Sequence, residues 1–288
     1  MADLVVLNYN DAETTIRFLK KTEGYQNIRH ICVVDNDSTD QSYQELKAME
    51  DPRVTVLETG RNGGYGAGNN FGIRWLDRMY HSEFILISNP DVLVEDDVVG
   101  RLEAFLSGHQ DYAIAAPFMC NAEGKRLSGS AFRLPTKWQY IRSLGMLSTK
   151  FDRPNHYDMQ ELSTKKVKTV GAVSGCLFMV RADAMMKYGM FDEKIFLYCE
   201  EVTLGMKMHQ AGQKMALLPQ EKALHLHSVS ISKSYKSDVA KRKLLNQSKL
   251  YVIRTYFHAN GFEMAVAHLI ADISIAEAAM NGMRKRRK

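Results

Sequence analysis

An α/β fold with a mainly parallel central sheet, covered by helices on both faces, is predicted by three observations. Short runs that are apolar throughout recur along the first 120 residues, helical patterns separate them, and a polar cluster follows most of them. Strands without polar alternation belong to sheets buried on both faces, and intervening helices supply the cover.

The elements follow in order. Leu4-Val5-Val6-Leu7 is the first strand, and 11–21 reads as a helix closed near Gly24. Ile31-Cys32-Val33-Val34 is the second strand. Ser38, with Gln41 three residues later, is a capping-box signature opening a helix to about Met49. Val54-Thr55-Val56-Leu57 is the third strand, and the glycine-rich stretch 60–68 leads into a helix through Trp75. Phe84-Ile85-Leu86-Ile87 is the fourth, Asp96 or Asp97 caps a helix to Ser107, and Ala113 to Phe118 is the fifth. Residues 121–168 are polar and irregular, the pattern of a binding loop. Val170 to Val180 reads as a strand, followed by a short helix at 182–188, a helix from Tyr198 to Gln210 and a last strand from Met215 to Leu218. Helical patterns at 238–258 and 262–280 complete the chain.

The 288 residues, 45% hydrophobic and 25% charged, exclude a disordered or low-complexity chain. We divide them into a larger α/β domain at 1–228 and a basic, helical C-terminal extension at 229–288. The net charge of +5 is uneven: residues 222–288 carry 13 Lys+Arg against 4 Asp+Glu. Cys32, Cys120, Cys176 and Cys199 form no CxxC pair, which speaks against a zinc ribbon or a disulfide scaffold and fits a reducing cytoplasm. The N-terminus lacks a basic signal-peptide region, and no apolar run approaches the ~20 residues of a membrane span. The expected location is the cytoplasm, peripheral on the inner face of the membrane.

In sheets of this type ligands bind beyond the carboxyl ends of the strands. The clusters Asn8-Tyr9-Asn10, Asp35-Asn36-Asp37, Arg61-Asn62-Gly63-Gly64 and Asn89-Pro90-Asp91 all fall there, so they gather on one rim. The glycine turn does not match GxxxxGK[ST], and a P-loop is unsupported.

The string from Val33 to Asp40 resembles the nucleotide-binding element of family 2 glycosyltransferases. So do Arg61-Asn62-Gly63-Gly64-Tyr65-Gly66-Ala67-Gly68-Asn69-Asn70, Asn89-Pro90-Asp91, Phe191-Asp192-Glu193 and Leu197-Tyr198-Cys199-Glu200-Glu201. Any one of these is weak, but five in the family's order, within residues 3 to about 257, are specific. The likeness is greatest to the rhamnosyltransferase-like branch that builds bacterial surface polysaccharides. It implies a GT-A fold, a nucleotide-sugar donor, a divalent metal (Mg²⁺ or Mn²⁺) and inversion at the anomeric carbon.

On that resemblance the donor is held by Asn8, Tyr9, Asp35, Asn36, Asn62, Gly63, Asn89 and Asp91. Asp35 can accept a pyrimidine N–H or a ribose hydroxyl, whereas Asp40 better suits a helix N-terminus. Asn89-Pro90-Asp91 stands where the family carries its Asp-x-Asp metal motif. Asp91 supplies a carboxylate, and Asn89 keeps an oxygen ligand with one charge fewer. His225, six residues after Pro219, is placed to join that metal, and His227 shares its face if the segment is extended. Glu200-Glu201 aligns with the family's Glu-Asp pair, making Glu201 the candidate base and Glu200 its orienting partner. Two departures stand out: Glu replaces Asp at 201, and Thr203 replaces a common Asp. Ser174 and Gly175 resemble the small-residue acceptor wall, and Arg133 a basic contact for an anionic acceptor.

The reading is therefore an inverting transferase moving a rhamnose-like sugar from a UDP- or dTDP-linked donor to a hydroxyl of a lipid-linked saccharide. A sugar-1-phosphate nucleotidyltransferase would need a basic triphosphate loop after the first strand, which Leu7-Asn8-Tyr9-Asn10 lacks. A non-catalytic saccharide- or nucleotide-binding module of the same fold is the other alternative, motivated by Asn89, Glu201 and Thr203. Nucleic-acid binding is not supported, since the basic end lacks interleaved aromatic residues. Helix 262–280 is assigned to packing or self-association as a homo-oligomer, and the basic stretch with its tail to an anionic membrane surface.

Overall fold

The computed structural model describes residues 1–146, 155–164, 166–226 and 237–286, with side chains as far as residue 282. The first half contains β1 (Ala2–Asn8), α1 (Ala12–Thr22), β2 (Ile28–Asp35), α2 (Ser42–Lys47), β3 (Val54–Glu58), α3 (Gly64–Tyr80), β4 (Phe84–Ser88), β5 (Val92–Val94), α4 (Asp96–Gly108) and β6 (Tyr112–Cys120). There follow β7 (Ala131–Phe132), α5 (Lys137–Arg142), α6 (Met159–Leu162), β8 (Lys168–Val170), β9 (Ala172–Val173), β10 (Leu177–Arg181) and α7 (Ala182–Ala184). The chain ends with α8 (Glu200–Gln210), β11 (Lys214–His225), α9 (Asp238–Thr255) and α10 (Gly261–Arg286).

The sheet runs β3-β2-β1-β4-β10-β6-β11-β5, with β8 beside β11. Strands β3, β2, β1 and β4 are mutually parallel, and β6 pairs parallel with β11. Strand β10 enters antiparallel between β4 and β6, with Leu177 opposite Ser88. That insertion matters for function, because the residues just before β10 arrive at the rim where β4 ends.

The uniformly apolar strands have the expected cause. Successive side chains point to opposite faces, so Leu4, Val6, Val33 and Leu86 pack into one core while Val5, Cys32, Val34, Ile85 and Ile87 pack into another. A third cluster joins Tyr140, Ile141 and Leu144 to Ile195, Cys199, Val252, Ile253, Ala267 and Ala271. The C-terminal helices are thus packed on the segment that leads into α8. All four cysteines are buried and free.

Three local expectations change. The helix after β2 begins at Ser42 rather than near Ser38, because the Ser38 hydroxyl is bonded to Asp35 instead of capping a helix. Asp40 takes the helix-starting role, its Oδ1 accepting from the Ser42 N–H at 2.9 Å. Asp96 does not cap α4; its carboxylate accepts the backbone N–H groups of Gln26 and Asn27, and Glu95 is the capping position. The run from Val170 to Val180 is broken into three strands, and the break at 174–176 faces the rim.

Candidate active site

The rim is organised from the strand ends outward. Asn8, at the end of β1, donates to Asp35 Oδ2 at 2.8 Å, and Thr15 donates to Asn8 Oδ1 at 2.8 Å. The Ser38 backbone N–H and hydroxyl reach the two Asp35 oxygens at 2.9 and 2.7 Å. Asp35 is fully buried. Asn10 and Asp37 adopt positive φ on either side of this knot, so the two loops are folded back on each other. Tyr9, half-buried, stands beside them.

Asn36 extends the network sideways. Its Nδ2 donates to Asn62 Oδ1 at 2.9 Å and to the Gly64 carbonyl at 3.2 Å, while Asn62 Oδ1 accepts the Gly64 N–H at 3.1 Å. Gly64 has φ +86°, and a Cβ there would lie 2.0 Å from the Phe196 carbonyl oxygen. Only glycine permits that approach. It lets the Tyr65 N–H donate to the same carbonyl at 3.0 Å, joining the turn to the segment before α8. Gly63 and Asn62 remain half-buried at the mouth.

Asn89-Pro90-Asp91 forms the turn between β4 and β5. The Val92 N–H donates to the Asn89 carbonyl at 3.2 Å, and the Asn89 N–H donates to the Cys176 carbonyl at 2.8 Å. Strand β5 lies against β11, which brings His225 Nε2 to 3.1 Å from Asp91 Oδ2. A carboxylate and an imidazole this close are donors that Mn²⁺ accepts together. Among the described residues no group of three or more His, Cys, Asp or Glu side chains is arranged to hold a metal. His227 lies outside the described residues.

The carboxylate pair opens α8. Tyr198 and Cys199 both have positive φ, +72° and +75°, a strained approach that turns the chain sharply into the helix. Glu200 is buried, and its Oε1 has no hydrogen-bond partner among the described residues. Burial, then the neighbouring Glu201 charge, pushes its pKa up to about 8. Burial also raises Glu201, against the opposing pull of its own backbone N–H and then of Gly175's. A Cβ on Gly175 would come within 3.1 Å of Glu201 Oε1, so glycine keeps the wall open at the carboxylate. Thr203 is buried, its hydroxyl donating to the Cys199 and Glu200 carbonyls within 3.2 Å, which explains a short uncharged residue there.

These parts converge. Residues 174–176 bridge the two acidic centres: the Cys176 carbonyl accepts the Asn89 N–H, Gly175 lies against the Glu201 carboxylate, and Ser174 Oγ lies 3.0 Å from Cys176 Sγ. The Tyr65 hydroxyl donates to the Gly175 carbonyl. Burial, first of all, and then the nearby Glu201 push its pKa well up. Arg133 is elsewhere engaged: it is paired with Glu161 at 2.7 Å and lies 4.2 Å over the Tyr157 ring.

Sequence reasoning assigned no role to Tyr65, Asn70 or Asp192, although each lies within a quoted motif. Asn70 is bonded both ways to Phe191, through its Oδ1 and Nδ2 at 2.8 and 2.9 Å. For Asn70 the signal was a fully buried amide inside a helix.

Comparison with known proteins gives a consistent picture. A family model described as Glycosyl transferase family 2 matches residues 3–189. The chain is 28% identical over 225 residues to the N-acetylglucosaminyl-diphospho-decaprenol L-rhamnosyltransferase of Mycobacterium tuberculosis, covering 73% of this chain and 70% of that one. It is 24% identical over 168 residues to the rhamnosyltransferase WbbL of Escherichia coli, covering 56% and 60%. Among solved structures it superposes on GalNAc-T7 with UDP, GalNAc and Mn²⁺ at a TM-score of 0.58 and 14% identity. That match covers 94% of this chain and 56% of GalNAc-T7.

Proposed function

Since the chain belongs to glycosyltransferase family 2 and has the GT-A fold, we propose that it is an inverting, metal-assisted transferase that moves a sugar, rhamnose in kind, from a UDP- or dTDP-linked donor to a hydroxyl of a lipid-linked saccharide. The observation that carries this reading is the convergence through residues 174–176 of the Asn89–Asp91 turn and the Glu200–Glu201 pair. The rhamnose preference and the lipid-linked acceptor rest on the named mycobacterial relative.

In this reading the Asn36–Asn62–Gly64 turn presents polar backbone and small side chains to the nucleoside, and Asp35 with Asn8 holds that turn's foundation rigid. Asp91 and His225 would hold a divalent cation, with Asn89 beside them, and it would neutralise charge on the leaving diphosphate. Glu201 receives the proton of the attacking hydroxyl. Glu200, its pKa near 8, stays protonated at neutral pH, which confines the negative charge to Glu201. Two buried carboxylates side by side divide in this way because both cannot ionise cheaply. Ser174 and Gly175 form the wall against which the acceptor lies.

The decisive assay is release of nucleoside diphosphate from a panel of sugar nucleotides with Mg²⁺ or Mn²⁺. Release from a UDP- or dTDP-sugar, increased by a saccharide acceptor, supports the reading. A protein that binds donors and releases nothing is a binding module instead. The basic tail after Met283, five cations in five residues, is proposed to hold the enzyme at an anionic membrane near such an acceptor.

A further inference from the structure

We infer that helix α9 is a positioning element for the catalytic carboxylates, acting through three side-chain hydroxyls that hold the segment leading into α8. This rests on the reading of Glu201 as the base and extends it to residues outside the matched family segment.

The segment 191–199 connects the buried core to the Glu200–Glu201 pair, and it is pinned along its length. Asn70 fixes Phe191 at its start, and the Gly64–Tyr65 turn fixes Phe196. The remaining ties come from α9 and the residue just after it. Tyr251 and Tyr256 each donate a hydroxyl to Asp192 Oδ2 at 2.9 Å, and the Ser248 hydroxyl donates to the Leu197 carbonyl at 2.7 Å. The other Asp192 oxygen accepts the Lys194 N–H at 3.0 Å, so its carboxylate gathers both α9 contacts and its own turn.

Directly after these ties, Tyr198 and Cys199 take positive φ. Two consecutive non-glycine residues in that region are strained and persist only where surroundings impose them. The Leu197 carbonyl precedes them by one residue, and Glu200 follows at once. Without the Ser248 and tyrosine ties this segment can relax toward ordinary backbone angles. Such relaxation would rotate the first turn of α8 and move both carboxylates.

Helix α9 is itself anchored away from the segment. Lys249 donates to the Ser143 carbonyl at 2.7 Å and to its hydroxyl at 3.0 Å, and Asn246 bonds α10 through the Ala271 carbonyl and the Ser274 hydroxyl. Val252 and Ile253 are fully buried in the third core, beside Tyr140 and Ala267 as well as Ile195 and Cys199 of the segment. The helix therefore has enough fixed contacts of its own to act as a reference frame.

The test is the double variant Tyr251→Phe/Tyr256→Phe, which deletes two hydroxyls and keeps the rings, with nucleotide release from UDP- and dTDP-sugars as the readout. We expect kcat to fall ~10- to ~100-fold, the scale on which a misplaced catalytic group acts, with donor KM within about twofold. A parent-like kcat, whatever the melting temperature, overturns the inference. If the double variant does not fold, Ser248→Ala decides by the same split between kcat and KM. Glu201→Gln is measured in parallel. If it turns over like the parent, the base assignment fails and this inference with it. If it collapses while the tyrosine variant matches the parent, only the positioning role is lost.

Discussion

His225 Nε2 lies 3.1 Å from Asp91 Oδ2, although 134 residues separate them in the chain. Antiparallel pairing of His225 with Val92, and the Leu226 N–H donated to the Asp91 carbonyl, set that distance through backbone contacts alone. Removing either side chain should therefore spare the fold. Asp91→Ala is expected to abolish transfer, and excess EDTA to do the same to the parent enzyme. His225→Ala should retain activity that recovers as Mn²⁺ is raised. Nucleotide release undiminished in EDTA would overturn the metal-assisted reading.

Glu201→Gln preserves shape and removes proton acceptance. General-base contributions are typically ~10²–10⁴-fold, so transfer should drop on that scale while donor binding, followed by calorimetry, changes little. Because burial raises Glu201, transfer by the parent should fail on acidification at a pH above the ordinary carboxylate range. A Gln variant within a few-fold of the parent would move the role elsewhere.

Much of this was legible in the sequence, and the reasons differ by part. Strand and helix alternation was readable because apolar runs such as Val33-Val34 have no polar face, a property of buried parallel strands. The motifs marked the rim because polar residues right after such strands have nowhere else to fall. What escaped was competition for partners: Ser38 carries the local signature of a cap, yet a carboxylate three residues earlier claims its hydroxyl at 2.7 Å. Likewise Tyr251 and Tyr256 read as ordinary helix residues, since their partner Asp192 lies about sixty positions away.

The glycine turn gives a prediction on stability and binding together. Gly64 has φ +86° and no room for a Cβ beside the Phe196 backbone. Gly64→Ala should destabilise the fold by at least ~1–3 kcal/mol, the usual cost of a strained backbone position. It should also weaken donor affinity, because the Asn36–Asn62 contacts are built on this turn. Thermal melting and donor titration check both; an alanine variant unchanged in either would mean the turn adjusts freely.

Glu200 offers a prediction with a definite sign. Its pKa rises to about 8 in the folded chain, through burial first and the Glu201 charge second, whereas an unfolded glutamate titrates near ~4.3. Below that lower value both states hold the proton, and the burial of Glu200 carries no ionisation penalty. As pH rises toward about 8 the unfolded chain releases its proton and the folded chain keeps it, so stability from this group is progressively lost. Above that window the loss is constant. Glu200→Gln, which is neutral throughout, should therefore melt close to the parent at pH 4 and above it at pH 8. Every tenfold difference in proton affinity between the folded and unfolded chains is worth about 1.4 kcal/mol, and in a chain this size ~1 kcal/mol moves Tm by ~2–4 °C or less, so a gain of several degrees is expected. Melting curves of the two proteins that run parallel from pH 4 to pH 8 would show that Glu200 does not bear this burden.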